Sequence, residues 1–413
     1  MKLNKSIGLF IIFCILVAFL LPGEQNDKNI KVLVITRARL IDGTGSAPLE
    51  DAVVVIREGK FAEIGTAEAV KVPKEAEIIN VNGSTVVPGL IDAHVHITYP
   101  PDREETYVVN DSICSFRAAH FLKRHLMGGI TTVRDVAAYH NVSIMAKKAF
   151  QEGILIGSRP IVVGEGITCT GGHGTERWKL AFEADGPDGF RRAVRAQIKS
   201  GADLIKILPP YSRAEIKAAI EETHTQEKFI TVHSGIFKQQ YDFVRWAVEE
   251  GVDCIEHAYA IPDDVIHMMA NKGIYNVPTL SILAKLADEY EKKPGWEWKV
   301  KKYRESEAIF KKMKKAGVKM AVGTDAIFQY MNEYPEMYFE EIERFVYLGC
   351  TPMEAIVAAT NIGAEVCHAV EKLGTIEKGK IADLLVIDGD PLKQIENLRN
   401  IKIIVQNGIV IKR

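Results

Sequence analysis

Apolar and polar positions alternate in three textures along the chain. Residues 32–35, 52–56, 61–64 and 78–81 are short β-prone runs split by turns such as Asp42-Gly43-Thr44-Gly45, which predicts a small antiparallel β unit. From residue 86 the texture becomes short apolar strands alternating with longer amphipathic helices, the pattern of a parallel sheet with right-handed crossovers. Strands are predicted at 86–95, 130–136, 160–164, 204–208, 229–233, 254–257, 274–278 and 320–323, eight units that fit a closed barrel. The β texture then returns at 382–388 and 401–405, with Asn407-Gly408 as a hairpin turn before 409–411. The predicted fold is therefore α/β: a (β/α)8 TIM barrel over 87–371 with a small β-sandwich domain built from both terminal segments, 30–86 and 372–413.

Helix starts are legible within this frame. Ser212 precedes the helical run 214–220, and Thr351-Pro352-Met353-Glu354 supplies a cap, an N1 proline and an early acid. The lysine-rich stretch 292–315 predicts a solvated helix face rather than a binding patch.

The amino terminus stands apart. Lys2 and Lys5 precede an uninterrupted non-polar run from Ile7 to Leu21, followed by Pro22-Gly23 and a polar exit. A basic start, a short apolar core and a polar exit predict an export signal or an anchor over 1–24, and hence an extracytoplasmic or membrane-anchored protein. The run is short for a membrane span. The remaining cysteines, Cys114, Cys169, Cys254, Cys350 and Cys367, are scattered, with no close pair to predict a disulfide framework or a zinc knuckle.

At 413 residues and 47% hydrophobic content, the chain can bury one large domain and a smaller one. A formal charge of −2 gives no field for steering polyanions, and no basic stripe is interleaved with aromatics. Nucleic acid is thereby set aside as a partner.

Candidate chemistry sits at the ends of the predicted barrel strands. Side chains alternate along a strand, so in Asp92-Ala93-His94-Val95-His96 the two histidines share the inward face and can chelate one metal. Lys206 lies inside the apolar strand Leu204-Ile205-Lys206-Ile207, where an amine must be desolvated or paired. Desolvation lowers its pKa, and a neutral amine can react with carbon dioxide to give a carbamate able to bridge two cations; the other reading is a snorkelling or salt-bridged lysine. His233 and His257 each end an apolar run, and Asp325 follows the last strand, where its carboxylate can bind a metal and accept a proton from water. Asp325 could instead cap the following helix.

On these residues the chain resembles the amidohydrolase superfamily, in particular its imidazolonepropionase-like and prolidase-like amidohydrolases. The segment Val86-Val87-Pro88-Gly89-Leu90-Ile91-Asp92-Ala93-His94-Val95-His96 is similar to that family's opening signature; residues 201–207, 251–257 and 322–326 are similar to later strand motifs, and 379–386 to the return into the terminal β-sandwich. The resemblance implies that His94, His96 and Asp325 hold a first metal, that His233 and His257 hold a second, and that carboxylated Lys206 bridges them. It implies two divalent ions, zinc first, a bridging hydroxide and Asp325 as proton shuttle in the hydrolysis of an amide-type carbon–nitrogen bond, with an Xaa-Pro dipeptide or cyclic amide as substrate. His173, in Thr170-Gly171-Gly172-His173-Gly174, resembles a substrate-contacting histidine; a solvent-exposed loop residue is the alternative. The chain departs from the family after His233, where Ser234-Gly235-Ile236 stands in place of a further histidine or tyrosine.

Three rivals share the barrel. A phosphotriesterase or lactonase can use the same binuclear set, a mononuclear deaminase does not need Lys206, and a non-catalytic binding barrel should have lost ligands. Phe328, Tyr330, Tyr334, Tyr338 and Phe339 either line a pocket or close over it as a lid, or else simply pack.

Overall fold

The computed structural model describes residues 32–102, 110–175, 180–235 and 241–412. The apolar segment read as an export signal lies outside the described residues, among which no helix is long and apolar enough to cross a membrane. Strands β1 (Leu33–Leu40), β2 (Leu49–Arg57), β3 (Lys60–Thr66), β4 (Glu77–Asn80) and β5 (Thr85–Pro88) open the described chain. They are followed by β6 (Leu90–Val95), β7 (Ile130–Asp135), β8 (Arg159–Val162), β9 (Gly166–Thr168), β10 (Ala181–Glu183), β11 (Leu204–Ile207), β12 (Phe229–His233), β13 (Cys254–Glu256) and β14 (Tyr275–Val277). The chain closes with β15 (Leu384–Ile387), β16 (Ile401–Gln406) and β17 (Ile409–Lys412).

Both termini enter one eight-stranded sheet, ordered β17-β16-β15-β5-β1-β2-β3, with β4 also pairing β1. The join is β5 antiparallel to β15, with Val87 opposite Leu385. Alternation along β1 and β2 sends Ile35 and Val54 into one apolar cluster and Val34 and Val53 into another, so both faces of this edge are covered. The amino-terminal unit is not purely antiparallel as expected: β1 runs parallel to β4 and β5. After β3 the chain crosses over instead of turning in a hairpin, and only a crossover brings a strand back parallel.

The run expected as one strand over 86–95 is two strands in two sheets. Gly89 marks the break, where a Cβ would lie 2.2 Å from Thr131 Oγ1. From β6 to β14 every strand pairing is parallel: β6-β7-β8 form one sheet and β10-β9-β11-β12-β13-β14 another. The short strands β9 and β10 had no signature in the sequence. Asp203 N–H donates to Val162 O at 2.7 Å, linking the two sheets along one seam. Residues 320–323 form only an isolated bridge, Met320 to Asn276, instead of the expected strand. Even so, Ala321 N–H donates to Asn276 O and Ala93 N–H to Val322 O, both at 2.9 Å, so this segment lies between β14 and β6. Gly323 permits the close approach, since a Cβ there would sit 2.4 Å from Val277 and 2.9 Å from His94.

Both helix starts form as the sequence indicates, with reciprocal capping boxes at Ser212/Glu215 and Thr351/Glu354. The lysine-rich stretch differs from its expectation. It breaks into helices Glu297–Arg304 and Ser306–Ala316, which bury Tyr303, Phe310 and Met313, and Lys293 and Lys299 face a cavity.

Candidate active site

The carboxyl ends of β6, β11, β12 and β13, together with the segment after 320–323, meet at the floor of a cavity of about 440 Å³. His94, His96, Lys206, His233, His257 and Asp325 all line it. So does His173, whose ring centroid is 4.7 Å from that of His233.

The six do not form one uniform cluster. His94, His96 and Asp325 converge closely enough to hold a metal ion, with Asp325 Oδ1 3.5 Å from His94 Nε2 and 3.2 Å from His96 Nε2. Asp325 N–H donates to His94 O at 2.8 Å, which ties the carboxylate to the strand carrying the histidines. Burial works against ionisation of Asp325, but His94, His96 and His257 outweigh it and hold the carboxyl well below its usual range. Burial lowers the His94 imidazole to about 4, so its neutral, metal-binding form dominates near neutral pH. His233 and His257 instead face each other, Nδ1 to Nε2 at 3.0 Å. His257 Nδ1 lies 2.7 Å from Thr279 Oγ1, and His233 Nε2 lies 2.8 Å from the Tyr259 hydroxyl. His257, Thr279 and Asp325 have φ of 72°, 50° and 48°, left-handed backbone that non-glycine residues avoid and that clusters at functional sites.

Lys206 is buried in the same cavity lining, close enough to act electrostatically on His94, His233 and His257, and its amine has no hydrogen-bond partner among the described residues. Burial lowers its pKa to about 8, with Arg134 adding to the shift and Glu256 and Asp325 opposing it. A group held this way is readily deprotonated, as carbamate formation requires.

Behind the floor lies a buried polar frame that the sequence reading passed over. Glu256 is fully buried and sits 2.7 Å from His94 Nδ1, 2.6 Å from Arg134 Nη2 and against the Thr231 hydroxyl. Against the cost of burial, Arg134, Lys206 and His94 keep its carboxyl well below the usual range. Charged Glu256 therefore fixes the His94 ring with Nε2 toward Asp325. His96 is turned the same way by the Ala137 carbonyl, 2.9 Å from Nδ1. Asp92 accepts from His94 N–H, Thr324 N–H, the Thr324 hydroxyl and the Tyr334 hydroxyl at 2.8 to 3.1 Å, locking β6 to the Asp325 segment. The aromatic residues after Asp325 thus divide. Phe328 lines the cavity, Tyr334 and Tyr338 brace the interior of β6, and the Tyr330 hydroxyl turns away to Glu289 at 3.2 Å. A signal for the frame was present, since Arg134 and Glu256, like Lys206, are charges embedded in apolar strands.

Strand tips that bring two histidines and an aspartate together, over a chain whose residues 85–411 match the Amidohydrolase family model, decide the affiliation. The chain belongs to the amidohydrolase family. It is 28% identical to ochratoxinase of Aspergillus niger over 89% of this chain and 83% of that protein. It is 23% identical to imidazolonepropionase of a Geobacillus species over 88% and 90% of the two chains. Among solved structures, a Xaa-Pro dipeptidase with bound methionine in the active site superposes with a TM-score of 0.82 at 26% identity, covering 93% of this chain and all of that one. This amidohydrolase is accordingly a metal-dependent enzyme acting on carbon–nitrogen bonds of small molecules, and its fold is of the TIM-barrel superfamily.

Proposed function

We propose that the protein is a binuclear amidohydrolase that cleaves the amide bond of an acylated amino acid or dipeptide. The orphaned amine of Lys206 carries this reading. A buried, easily deprotonated amine in one cavity lining with an imidazole–carboxylate group and an imidazole pair is explained if it is carboxylated and joins them. The residues present fit the ions: His94, His96 and Asp325 would hold one, His233 and His257 the other, and the mixed nitrogen and oxygen donors suit zinc. Bound there, two divalent ions supply Lewis acidity and an acidified water.

The chain's own residues do the rest. Glu256 and the Ala137 carbonyl keep both imidazoles of the first group turned to Asp325. Asp325, held ionised, takes the proton of the attacking water and returns it to the departing nitrogen. His173 lines the wall beside His233 and contacts the substrate. The similarity to a Xaa-Pro dipeptidase supports an amide substrate, with proline dipeptides the first to try. The parallel sheets, with hydrogen bonds at the Val162–Asp203 and Ala93–Val322 seams, support a closed (β/α)8 barrel over 87–371, joined to a β-sandwich from 30–86 and 372–413. The apolar run after Lys2 and Lys5 supports export, which amino-terminal sequencing of extracytoplasmic protein tests.

Metal content per chain decides between this reading and a one-metal enzyme, which the compactness of the His94–His96–Asp325 group favours. With bicarbonate supplied, the wild type should carry near two divalent ions, and Lys206→Ala should lose metal together with hydrolysis of acyl-proline substrates. One ion per chain, indifferent to Lys206, sinks the binuclear reading. Faster turnover of lactones than of amides in the same panel moves the assignment to a lactonase.

A further inference from the structure

Tyr259 stands where the floor of the cavity meets its outer wall, which is built from helices Leu280–Glu291 and Glu297–Arg304. The His257 ring is stacked on the buried Tyr259 ring at 5.4 Å with 11° between their planes, and the Tyr303 ring meets it edge-on at 5.7 Å. This packing aims the Tyr259 hydroxyl at His233 Nε2, 2.8 Å away. Four groups then form one chain: the Thr279 hydroxyl, His257, His233 and the Tyr259 hydroxyl, joined at 2.7, 3.0 and 2.8 Å. The central contact, His257 Nε2 to His233 Nδ1, is a hydrogen bond only if one of these nitrogens carries a proton. A metal ion needs the lone pair of both. Since a neutral imidazole has a single N–H, the pair opens to an ion only when the shared proton moves to the outer nitrogen of its own ring. Both outer nitrogens face a hydroxyl, a group that donates and accepts at one atom. The His94–His96 group is built differently. Its rings face the Glu256 carboxylate and the Ala137 carbonyl, which only accept, so both Nε2 atoms are permanent lone-pair sites.

We propose that Tyr259, together with Thr279, is a positioning residue that makes the His233–His257 pair convertible, either closed through one shared proton or open with two lone pairs for an ion. The inference rests on the binuclear reading and distinguishes its two ion sites: one preset, the other convertible. With the proton on His233 Nδ1, the Tyr259 hydroxyl donates to Nε2; with the proton on Nε2, the same hydroxyl turns and accepts it. Thr279 serves His257 Nδ1 in the same way. Neither ring changes its charge, and no buried N–H loses its acceptor in either arrangement. Burial pushes the Tyr259 phenol well above its usual 10, so it keeps the proton this exchange requires. Replacing either hydroxyl by a hydrocarbon leaves the open arrangement with a buried N–H that nothing accepts, and the cost falls on ion binding.

Stepwise removal of zinc tests this without reference to turnover. Zinc-loaded enzyme is titrated with a zinc-binding dye in the wild type, Tyr259→Phe, Thr279→Val and Thr279→Ser, with folding followed by Tm. Tyr259→Phe keeps the ring and its packing; it should weaken one ion by roughly 10- to 100-fold while the other stays within about threefold. Thr279→Val should weaken the same ion, whereas Thr279→Ser, which keeps the hydroxyl and loses a methyl group, should hold it near the wild type. A packing role predicts the reverse order, because valine is closer to threonine in shape. Two ions that both survive Tyr259→Phe overturn this inference and leave the binuclear reading standing. A single ion that Tyr259→Phe weakens sinks the binuclear reading alone, since that ion then sits on the His233–His257 pair. A single ion indifferent to Tyr259→Phe overturns both.

Discussion

At the floor of the cavity polar groups hold one another: His94 is held by Glu256, Glu256 by Arg134, and the Asp325 segment by Asp92 through Thr324, while the buried Lys206 amine alone among these is left without a partner among the described residues. The outer wall, by contrast, is assembled from Tyr290, Trp296 and Lys299, joined by ring faces and cation–π contact, and Trp296 is still 37% exposed. The difference follows from what each region must do. Ligand atoms have to be fixed within fractions of an ångström, which buried, fully satisfied hydrogen bonds achieve at the risk of large losses when one partner goes. A cavity wall that only bounds the site tolerates looser contacts, each worth about a kcal/mol.

The sharpest way to break this contrast is Glu256→Gln. It keeps the shape and leaves the fully buried Arg134 guanidinium without its counter-charge, so the protein should lose about 3 to 5 kcal/mol of stability in denaturant unfolding. Metal affinity, read by chelator competition, should fall by roughly 10- to 100-fold as the His94 ring loses its anchor. A variant as stable and as metal-loaded as the wild type would show that the floor is not braced as described.

An intermediate effect is expected where the two regions join. Glu341 is buried and accepts from Leu280 N–H and Ser281 N–H at 2.8 and 2.6 Å, fastening the start of the outer-wall helix. Burial raises its carboxyl from 4.5 to about 7, against the pull of those donors and of Arg344. Between these values the folded protein holds the proton more tightly than the unfolded chain. This group's contribution to stability is therefore complete below pH 4.5 and lost as the pH rises through about 7. Glu341→Gln should flatten that part of the Tm profile between pH 5 and 8, and an unchanged slope would assign the pH dependence elsewhere.

The smallest change in stability belongs to Trp296→Ala. Stability should fall by about 1 to 2 kcal/mol, the worth of one ring stack and one cation–π contact, while KM for an acyl-proline substrate rises roughly three- to fivefold with the loss of the stacked face. A large drop in Tm with unchanged KM would make the Tyr290–Trp296 pair a structural feature and not a substrate wall.

Alternation of side chains along a strand, and the oddity of a lysine inside an apolar run, were enough to select His94, His96, Lys206, His233, His257 and Asp325, and the six line one cavity. The same rule would have found Arg134 and Glu256, because a charge in the middle of an apolar strand needs a partner whatever its role. Tyr259, Trp296 and Lys299 carried no such mark. A lysine-rich helix reads as solvated until something shows which of its faces is docked, and helix Glu297–Arg304 docks over the strand ends through Tyr303.

Local periodicity is written in the sequence, so most strand segments, the helix caps and the residues presented at strand tips follow from it directly. Contacts between elements far apart in sequence depend on how the elements pack. Only the tertiary structure decided that 86–95 divides between two sheets at Gly89, that His233 and His257 pair with each other while Asp325 joins His94 and His96, and that a charged helix closes one side of the cavity.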